Sequence, residues 1–297
     1  MKHTVLMMLL VAASLTACSS DEETGLKETP RPMIVDVNEN PPTVSTNQMP
    51  PSLRQRATEP IATRGVITTS TTLSNFKMNY QANAYSYNKT GSEWNVNSWP
   101  NEVGTDEKID FFAYTSGNFN YNSGNPYLVY SVEETPSNQH DLLVAEHKQI
   151  AYSDHAGHVS LTFDHACAAV QVYVQITNTL RAALGSDLIV NSIVLKNVNN
   201  SGDYYYATKT WSNQDGAAAY TLTNSEITVT TTPEALSCGH LFMIPQSRVK
   251  NGITGTYLEI NYTTSELKQA ILPLDVDWEA GKQYTINIKL GTTTIQQ

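Results

Sequence analysis

Apolar and polar residues alternate one by one along much of the chain after Gly65. In residues 170–175, three valines are separated by glutamine or tyrosine, and the same period of two runs through residues 258–263 and 284–290. This period places successive side chains on opposite faces of a strand, one face buried and one solvated. The pattern predicts an all-β fold class, because amphipathic helices need a period near 3.6.

Turn residues separate the short predicted strands, as is typical of β-sandwiches. A body of about 230 residues fits two sandwiches more easily than one. The polar stretch at residues 153–158 is the predicted boundary, which gives an N-terminal sandwich at 61–155 and a C-terminal sandwich at 156–297. One helix is predicted at residues 178–185, with Asn178 as its N-cap and Gly185 as its terminator.

The N-terminus has the features of a signal peptide. Lys2 is followed by an uncharged, mostly apolar run at residues 5–15, and Leu15-Thr16-Ala17 then leads to Cys18. This run is too short to cross a membrane as a helix, which takes about 20 residues, so residues 1–17 are predicted to be removed. The cysteine after Leu-Thr-Ala resembles the bacterial lipobox, in which the thiol is acylated and anchors the chain. The alternative is an ordinary signal peptide with an incidental cysteine.

Residues 18–60 are rich in Ser, Asp, Glu, Thr, Pro and Asn, and this composition predicts a flexible tether. One β-prone run, Met33-Ile34-Val35-Asp36-Val37, interrupts it. A pure tether has no use for such a run.

The net charge of −10 argues against a nucleic-acid partner, which requires a face rich in Lys and Arg. Beyond Cys18, Cys167 and Cys238 each lie in an apolar run, and two buried thiols are expected. The alternative is a single disulfide between them, which requires their Cα atoms to approach within about 7 Å.

The histidines suggest a zinc site only weakly. His155 and His158 are three residues apart, with His140, His147, Asp154 and His165 in the same half of the chain. The pair lies in a predicted loop, where this spacing does not align two imidazoles for tetrahedral coordination. We therefore expect surface histidines and no metal site, and a hydrogen-bonded structural role for His165.

No motif predicts an enzyme or a cofactor. Glu133, Glu134 and Asp141 could supply the two carboxylates of a glycosidase. We expect instead that they lie in a solvated turn before a strand. Neither a glycine-rich phosphate loop nor a Gly-x-Ser-x-Gly elbow occurs in the sequence. The tryptophans and tyrosines could stack on sugars, but Trp99 and Trp278 are expected in the core.

Eight segments follow one another along the body of the chain: Trp99-Pro100, Ile109-Asp110-Phe111-Phe112-Ala113-Tyr114, Asp141-Leu142-Leu143-Val144-Ala145, Leu161-Thr162-Phe163-Asp164-His165-Ala166, Met243-Ile244-Pro245-Gln246, Leu272-Pro273-Leu274, Trp278 and Gly281-Lys282-Gln283-Tyr284. In this order, behind a lipobox and Arg-containing loops, they resemble the fimbrillin family of Bacteroidetes, which comprises pilins and pilin-like lipoproteins. The resemblance extends over residues 60–290.

The resemblance implies two transthyretin-like β-sandwich domains in tandem and a role as a structural or adhesive subunit of surface fimbriae. In that family a lipoprotein precursor is cut by an Arg-specific protease, its first strand leaves, and the next subunit donates a strand to the exposed groove. Met33, Ile34, Val35 and Val37 would form the removable strand. Arg64 would be the cleavage point, with Arg54 and Arg56 as alternatives. The competing interpretation is that these arginines are only charges of the tether.

The implied partners are other fimbrial subunits, the outer membrane through the lipid anchor, and a glycan or protein on a host or bacterial surface. After residues 284–290 the tail has one apolar residue, Ile295, and at ~3.3 Å per residue it reaches about 20 Å. Such a tail is short for a donor strand, so a tip or accessory subunit is favoured over a stalk subunit, unless residues 284–290 are the donor. The alternative function is a monomeric carbohydrate-binding lipoprotein of the outer membrane.

Overall fold

The computed structural model describes residues 31, 34–39, 43–44, 77–82, 99, 104–122, 125–223, 225–246, 255–274 and 277–292. Within these residues the chain forms β-strands, numbered below in chain order, with only a few short helical segments. The predicted all-β fold class is confirmed. The strands lie in sheets that we label A to D.

Sheet A contains, in order across the sheet, β1 (Ile34–Glu39), β8 (His158–His165), β7 (Leu143–Ile150), β4 (Ile109–Tyr114) and β3 (Lys77–Ala82). The pairing of β1 with β8 is parallel, and the other neighbours in the sheet are antiparallel. Five of the six residues of β4 are buried, so both faces of sheet A are covered at its centre.

Sheet B contains β12 (Thr210–Asp215), β11 (Ser201–Tyr205), β6 (Asn125–Ser131) and β5 (Asn118–Asn122), in that order. It packs on one face of sheet A through aromatic side chains. The Phe112 ring of sheet A lies 5.1 Å from the ring of Tyr206 and 5.7 Å from that of Phe119, measured between centroids. Such contacts fix two sheets face to face.

Sheet C contains β15 (Glu234–Ala235), β9 (Ala168–Ile176), β19 (Lys282–Leu290) and β2 (Thr43–Val44), and β16 (Leu241–Met243) also pairs with β9. Sheet D contains β13 (Ala218–Thr223), β10 (Leu188–Val198), β17 (Tyr257–Thr263) and β18 (Leu267–Pro273), and β14 (Ile227–Val229) also pairs with β10. The alternating residues predicted to be buried in β9, β17 and β19 are buried.

Two apolar clusters form the core. The larger gathers buried residues from sheets A, B, C and D and includes Trp278. The smaller lies on the opposite face of sheet A and contains Trp99, Phe111, Leu161 and Phe163. The predicted burial of Trp99 and Trp278 is confirmed.

The predicted helix is present, but its cap was assigned one residue too late. Of the two α-helices described, α1 spans Tyr152–His155 and α2 spans Asn178–Leu184, and a 3-10 helix covers Pro136–Asn138. The N-cap of α2 is Thr177, whose Oγ1 accepts a hydrogen bond from the Leu180 N–H at 3.0 Å. Gly185 ends α2 in the left-handed conformation with φ 72°.

The predicted domain boundary at residues 155 and 156 falls between α1 and β8. Since β8 pairs with β7 and β1, it belongs with the strands that precede this boundary. Sheet B in turn joins β5 and β6 to β11 and β12 from the second half of the chain. The division into two domains stays a prediction, and the strand order favours a boundary after β8.

Candidate functional site

Only part of the predicted site falls within the described residues. Ile34, Val35 and Val37 lie in β1. The remaining predicted site residues lie outside the described ranges: Cys18, Met33, Arg54, Arg56 and Arg64.

The strand β1 occupies an edge of sheet A. It pairs in parallel with β8 over six residue pairs, from Ile34 opposite His158 to Glu39 opposite Phe163. In β8, Val159, Leu161 and Phe163 are buried in the smaller core cluster. If β1 left, β8 would become the edge, and its backbone N–H and C=O groups on that side would lose their partners.

Arg31, three positions before the start of β1, is held beside the smaller cluster. The Trp99 backbone N–H donates to the Arg31 carbonyl oxygen at 2.9 Å. The guanidinium carbon of Arg31 lies 5.7 Å from the centroid of the Tyr152 ring, and that ring is edge-on to Trp99. These contacts hold the N-terminal segment in place just before it enters sheet A.

The same N-terminal segment also reaches sheet C. The strand β2 pairs in parallel with the start of β19, with Thr43 opposite Lys282 and Val44 opposite Gln283. On its other side β19 pairs in parallel with β9 over eight residue pairs. Residues 34–44 therefore contribute strands to two sheets within one short stretch of chain.

The ladder between β7 and β8 is short. It contains two residue pairs, Leu143 opposite His165 and Val144 opposite Asp164. Further along, the Ser160 backbone N–H donates to Nδ1 of His147 at 3.2 Å, so a side chain spans the gap. Burial lowers the pKa of His147, and the nearby His155 lowers it further.

The histidines that could have suggested a zinc site do not form a metal-binding cluster in the described part of the chain. His155 ends α1 and His158 begins β8, and both are exposed, as is His140. The rings of His147 and His155 are 6.3 Å apart. In the part of the chain that the structure describes, no group of three or more His, Cys, Asp or Glu residues could hold a metal ion.

Asp141 is buried, and its assignment to a solvated turn was wrong. Its Oδ2 atom is hydrogen-bonded to Nδ1 of His165, which gives His165 the structural role predicted for it. Burial raises the pKa of Asp141, while His165 and the backbone N–H groups of Leu142 and Cys167 act in the opposite direction. The apolar run that directly follows Asp141 was the available signal. Glu133 and Glu134 are exposed, as predicted.

Cys167 and Cys238 are free thiols. Cys167 is buried, and burial together with the Asp141 carboxylate raises its thiol pKa. Cys238 is only half-buried, so the prediction of two buried thiols is correct for one of them. No described helix combines the length and the apolar character needed to span a membrane.

Comparison with known proteins identifies the family to which the chain belongs. A family model described as fimbrillin-like matches residues 58–297. A fimbrial protein from Bacteroides vulgatus has a similar structure, with a TM-score of 0.53 and 18% sequence identity over 88% of this chain and 95% of that one. A candidate cell adhesion protein from Bacteroides ovatus gives a TM-score of 0.49 and 14% identity over 88% and 92%. Among curated protein sequences none matches significantly. Because the family model matches most of its length, the chain belongs to the fimbrillin-like family.

Proposed function

We propose that this protein is a structural and adhesive subunit of cell-surface fimbriae that assembles by strand exchange after Arg-specific cleavage. Membership of the fimbrillin-like family supports a structural role and not an enzymatic one. The observation that carries the proposal is the position of β1, a parallel strand at the edge of sheet A that comes from a segment ahead of the candidate cleavage arginines.

Cleavage after Arg64 would separate β1 and β2 from the rest of the chain, which continues into sheet A at β3. No covalent bond would then hold β1 against β8. Its departure would uncover the backbone of β8, whose Leu161 and Phe163 side chains belong to the smaller apolar cluster. An extended segment of another subunit with alternating apolar residues could pair there, because strand addition satisfies both the backbone and the apolar pockets.

The state of β19 supports a tip or accessory position over a stalk position. Its alternate residues Tyr284, Ile286, Ile288 and Leu290 are buried, and its backbone pairs with β9 along eight residue pairs. To act as a donor, β19 would have to leave sheet C and open the larger core cluster. A subunit that accepts a strand and keeps β19 in its own sheet fits the end of a fibre.

The proposal also places the protein at the cell surface, anchored in the outer membrane by acylated Cys18. The lipid would hold the precursor until cleavage separates residues 18–64 from the folded body. Other fimbrial subunits are the expected partners of the cleaved form.

Treatment with an Arg-specific protease tests the mechanism. N-terminal sequencing should find Gly65, or a start just after Arg54 or Arg56, and the cleaved protein should form SDS-resistant, heat-sensitive oligomers with subunits that donate a strand. Arg64→Ala, combined if necessary with Arg54→Ala and Arg56→Ala, should keep the protein monomeric. Arg181→Ala on the exposed surface of α2 is the matched control.

A cleaved protein that stays monomeric in the presence of donor subunits would overturn the strand-exchange proposal and favour the monomeric carbohydrate-binding alternative. Truncation after Leu290 tests the position in the fibre. If the truncated subunit joins fibres normally, the tail is not a donor, as proposed. If truncation blocks addition of further subunits, the protein is a stalk subunit.

A further inference from the structure

A pocket of about 280 Å³ opens between β7, β8 and the turn that joins β11 to β12. We call it the β7–β8 pocket. The lining residues used in the argument are Val144, Glu146, Asp164, Tyr204, Tyr206 and Lys209. It lies apart from the edge where β1 pairs, because β8 has β1 on one side and β7 on the other.

The pocket exists because β7 and β8 diverge. Their ladder ends at Val144 and Asp164, and beyond this point the strands carry Glu146 and Thr162 along the pocket wall. Tyr206, which follows β11 and packs against Phe112 of sheet A, also lines the pocket. The turn after β11 places Lys209, at a φ of 53°, so that its Nζ lies 2.8 Å from Oδ2 of Asp164.

Tyr204 provides a polar group without a partner at this pocket. The residue is 3% exposed, and its ring is packed edge-on against Tyr206 and Trp211, each at 5.6 Å between centroids. None of the described residues hydrogen-bonds its hydroxyl. Because Tyr204 lines the pocket, its hydroxyl is available to hydrogen-bond a ligand there.

The hydroxyl of Tyr204 stays protonated at neutral pH and can donate. Burial raises its pKa, and the carboxylates of Asp164 and Glu146 raise it further. Glu146, Asp164 and Tyr204 line the same pocket. The pocket therefore offers a donor and two carboxylate acceptors around one open space.

The charges of the pocket favour a neutral ligand. Asp164 is paired with Lys209 at 2.8 Å, and Glu146 with Lys148 at 2.9 Å. An anion would meet the carboxylates of Glu146 and Asp164, and a cation would meet the ammonium group of Lys209. A ligand with several hydroxyls can donate to the carboxylates and accept from Lys209 and Tyr204 at the same time. The volume equals that of about nine water molecules, which is comparable to one hexopyranose.

We propose that the β7–β8 pocket binds one neutral sugar residue of a surface glycan. Glu146 and Asp164 accept hydrogen bonds from the sugar hydroxyls, and Tyr204 and Lys209 donate to them. Val144 and the rings of Tyr204 and Tyr206 supply apolar contact for the C–H groups of the sugar. This inference goes beyond strand exchange and does not depend on cleavage.

The test titrates the uncleaved full-length chain with glucose, galactose, mannose, fucose, N-acetylglucosamine and N-acetylgalactosamine, and binding is followed by saturation-transfer NMR and calorimetry. At least one neutral sugar should bind with a Kd of about 1–10 mM. Tyr204→Phe removes only the hydroxyl and should weaken this binding by about fivefold or more. Tyr205→Phe is the matched control, because Tyr205 stacks on Tyr127 and does not line the pocket.

Glu146→Gln provides a second variant in case Tyr204→Phe disturbs the packing, and it should weaken binding by a similar factor. The proposal is overturned if no neutral sugar binds more tightly than about 50 mM, or if both variants bind like Tyr205→Phe. It is also overturned if glucuronic acid or glucosamine binds more tightly than every neutral sugar. A negative result would leave assembly by strand exchange untouched, since the cleaved protein is not used.

Discussion

Nδ1 of His165 is hydrogen-bonded to Oδ2 of Asp141, and both side chains are buried. Asp141 lies two residues before β7 and His165 ends β8, so the bond joins the two strands where their ladder begins. The Ala166 N–H donates to the Leu142 carbonyl oxygen at 2.8 Å beside it. The ladder has only two residue pairs, and this side-chain bond adds a further link between β7 and β8.

Asp141→Asn should destabilise the fold markedly. The substitution keeps the shape of the side chain but replaces the carboxylate that is hydrogen-bonded to His165, and the loss of such a buried hydrogen bond costs about 1–3 kcal/mol. The measurement is the free energy of unfolding from urea denaturation followed by circular dichroism. Glu134→Gln, which changes an exposed carboxylate nearby, should alter the stability little. Equal effects of the two substitutions would contradict the role given to the pair.

Stability should fall at mildly acidic pH because of His147. The folded protein holds the pKa of His147 below its ordinary value, so protonation favours the unfolded chain. The contribution is complete above the unfolded pKa of about 6.5 and is lost as the pH falls below it towards the folded pKa. Protonated Nδ1 can no longer accept the Ser160 N–H, and the new charge faces His155.

The matched variant for this pH effect is His147→Gln, whose amide oxygen can accept the same hydrogen bond without titrating. Urea midpoints are compared at pH 7.5 and pH 5.5, values chosen about one unit either side of 6.5. The wild type should lose more stability between them than the variant does. Identical losses would assign the pH dependence to other groups.

Two neighbours in β17 should respond very differently to substitution. Ile260 is 1% exposed in the larger core cluster, so Ile260→Ala should cost about 2–5 kcal/mol. Glu259 forms a surface ion pair with Lys196 at 2.8 Å, and Glu259→Gln should cost less than about 1 kcal/mol. Thermal and urea denaturation measure both. If Glu259→Gln cost more stability than Ile260→Ala, the assignment of Ile260 to the buried face of β17 would be wrong.

Cys18→Ser should abolish labelling of the protein by a palmitate analogue. Serine lacks the thiol that is acylated, so the variant should also be lost from the membrane fraction. The matched control is Cys238→Ser, which should label and fractionate like the wild type. Undiminished label in the Cys18 variant rules out this cysteine as the lipid site.

The strand periodicity was enough to predict which faces of β9, β17 and β19 are buried, because alternation depends only on local sequence. The periodicity could not predict which strands pair with each other. Nothing in residues 33–37 indicates that β1 pairs with β8, more than a hundred residues away. The boundary predicted at residues 155 and 156 depends on a local polar stretch, whereas β8 is placed in sheet A by its pairing with β1 and β7.

The candidate site was predictable only where chemistry is local. Thr177 and Asn178 are both good N-cap residues, and only the backbone geometry decides between them. Asp141 looked solvated beside the two glutamates, because its histidine partner follows 24 positions later. The β7–β8 pocket arises from divergence of two strands and leaves no pattern in the sequence.

The parallel arrangement of β9 and β19 has a mechanical consequence. A tension applied beyond Leu290 and directed along β19 slides this strand lengthwise past β9. The hydrogen bonds of a parallel ladder are evenly spaced, so the eight residue pairs share such a load at the same time. The Thr177 N–H, which donates to the Leu290 carbonyl oxygen at 2.8 Å, adds one more bond at the loaded end. Sliding requires all these bonds to break together, whereas a sideways pull would open them one after another, so sheet C resists traction best along the axis of its last strand.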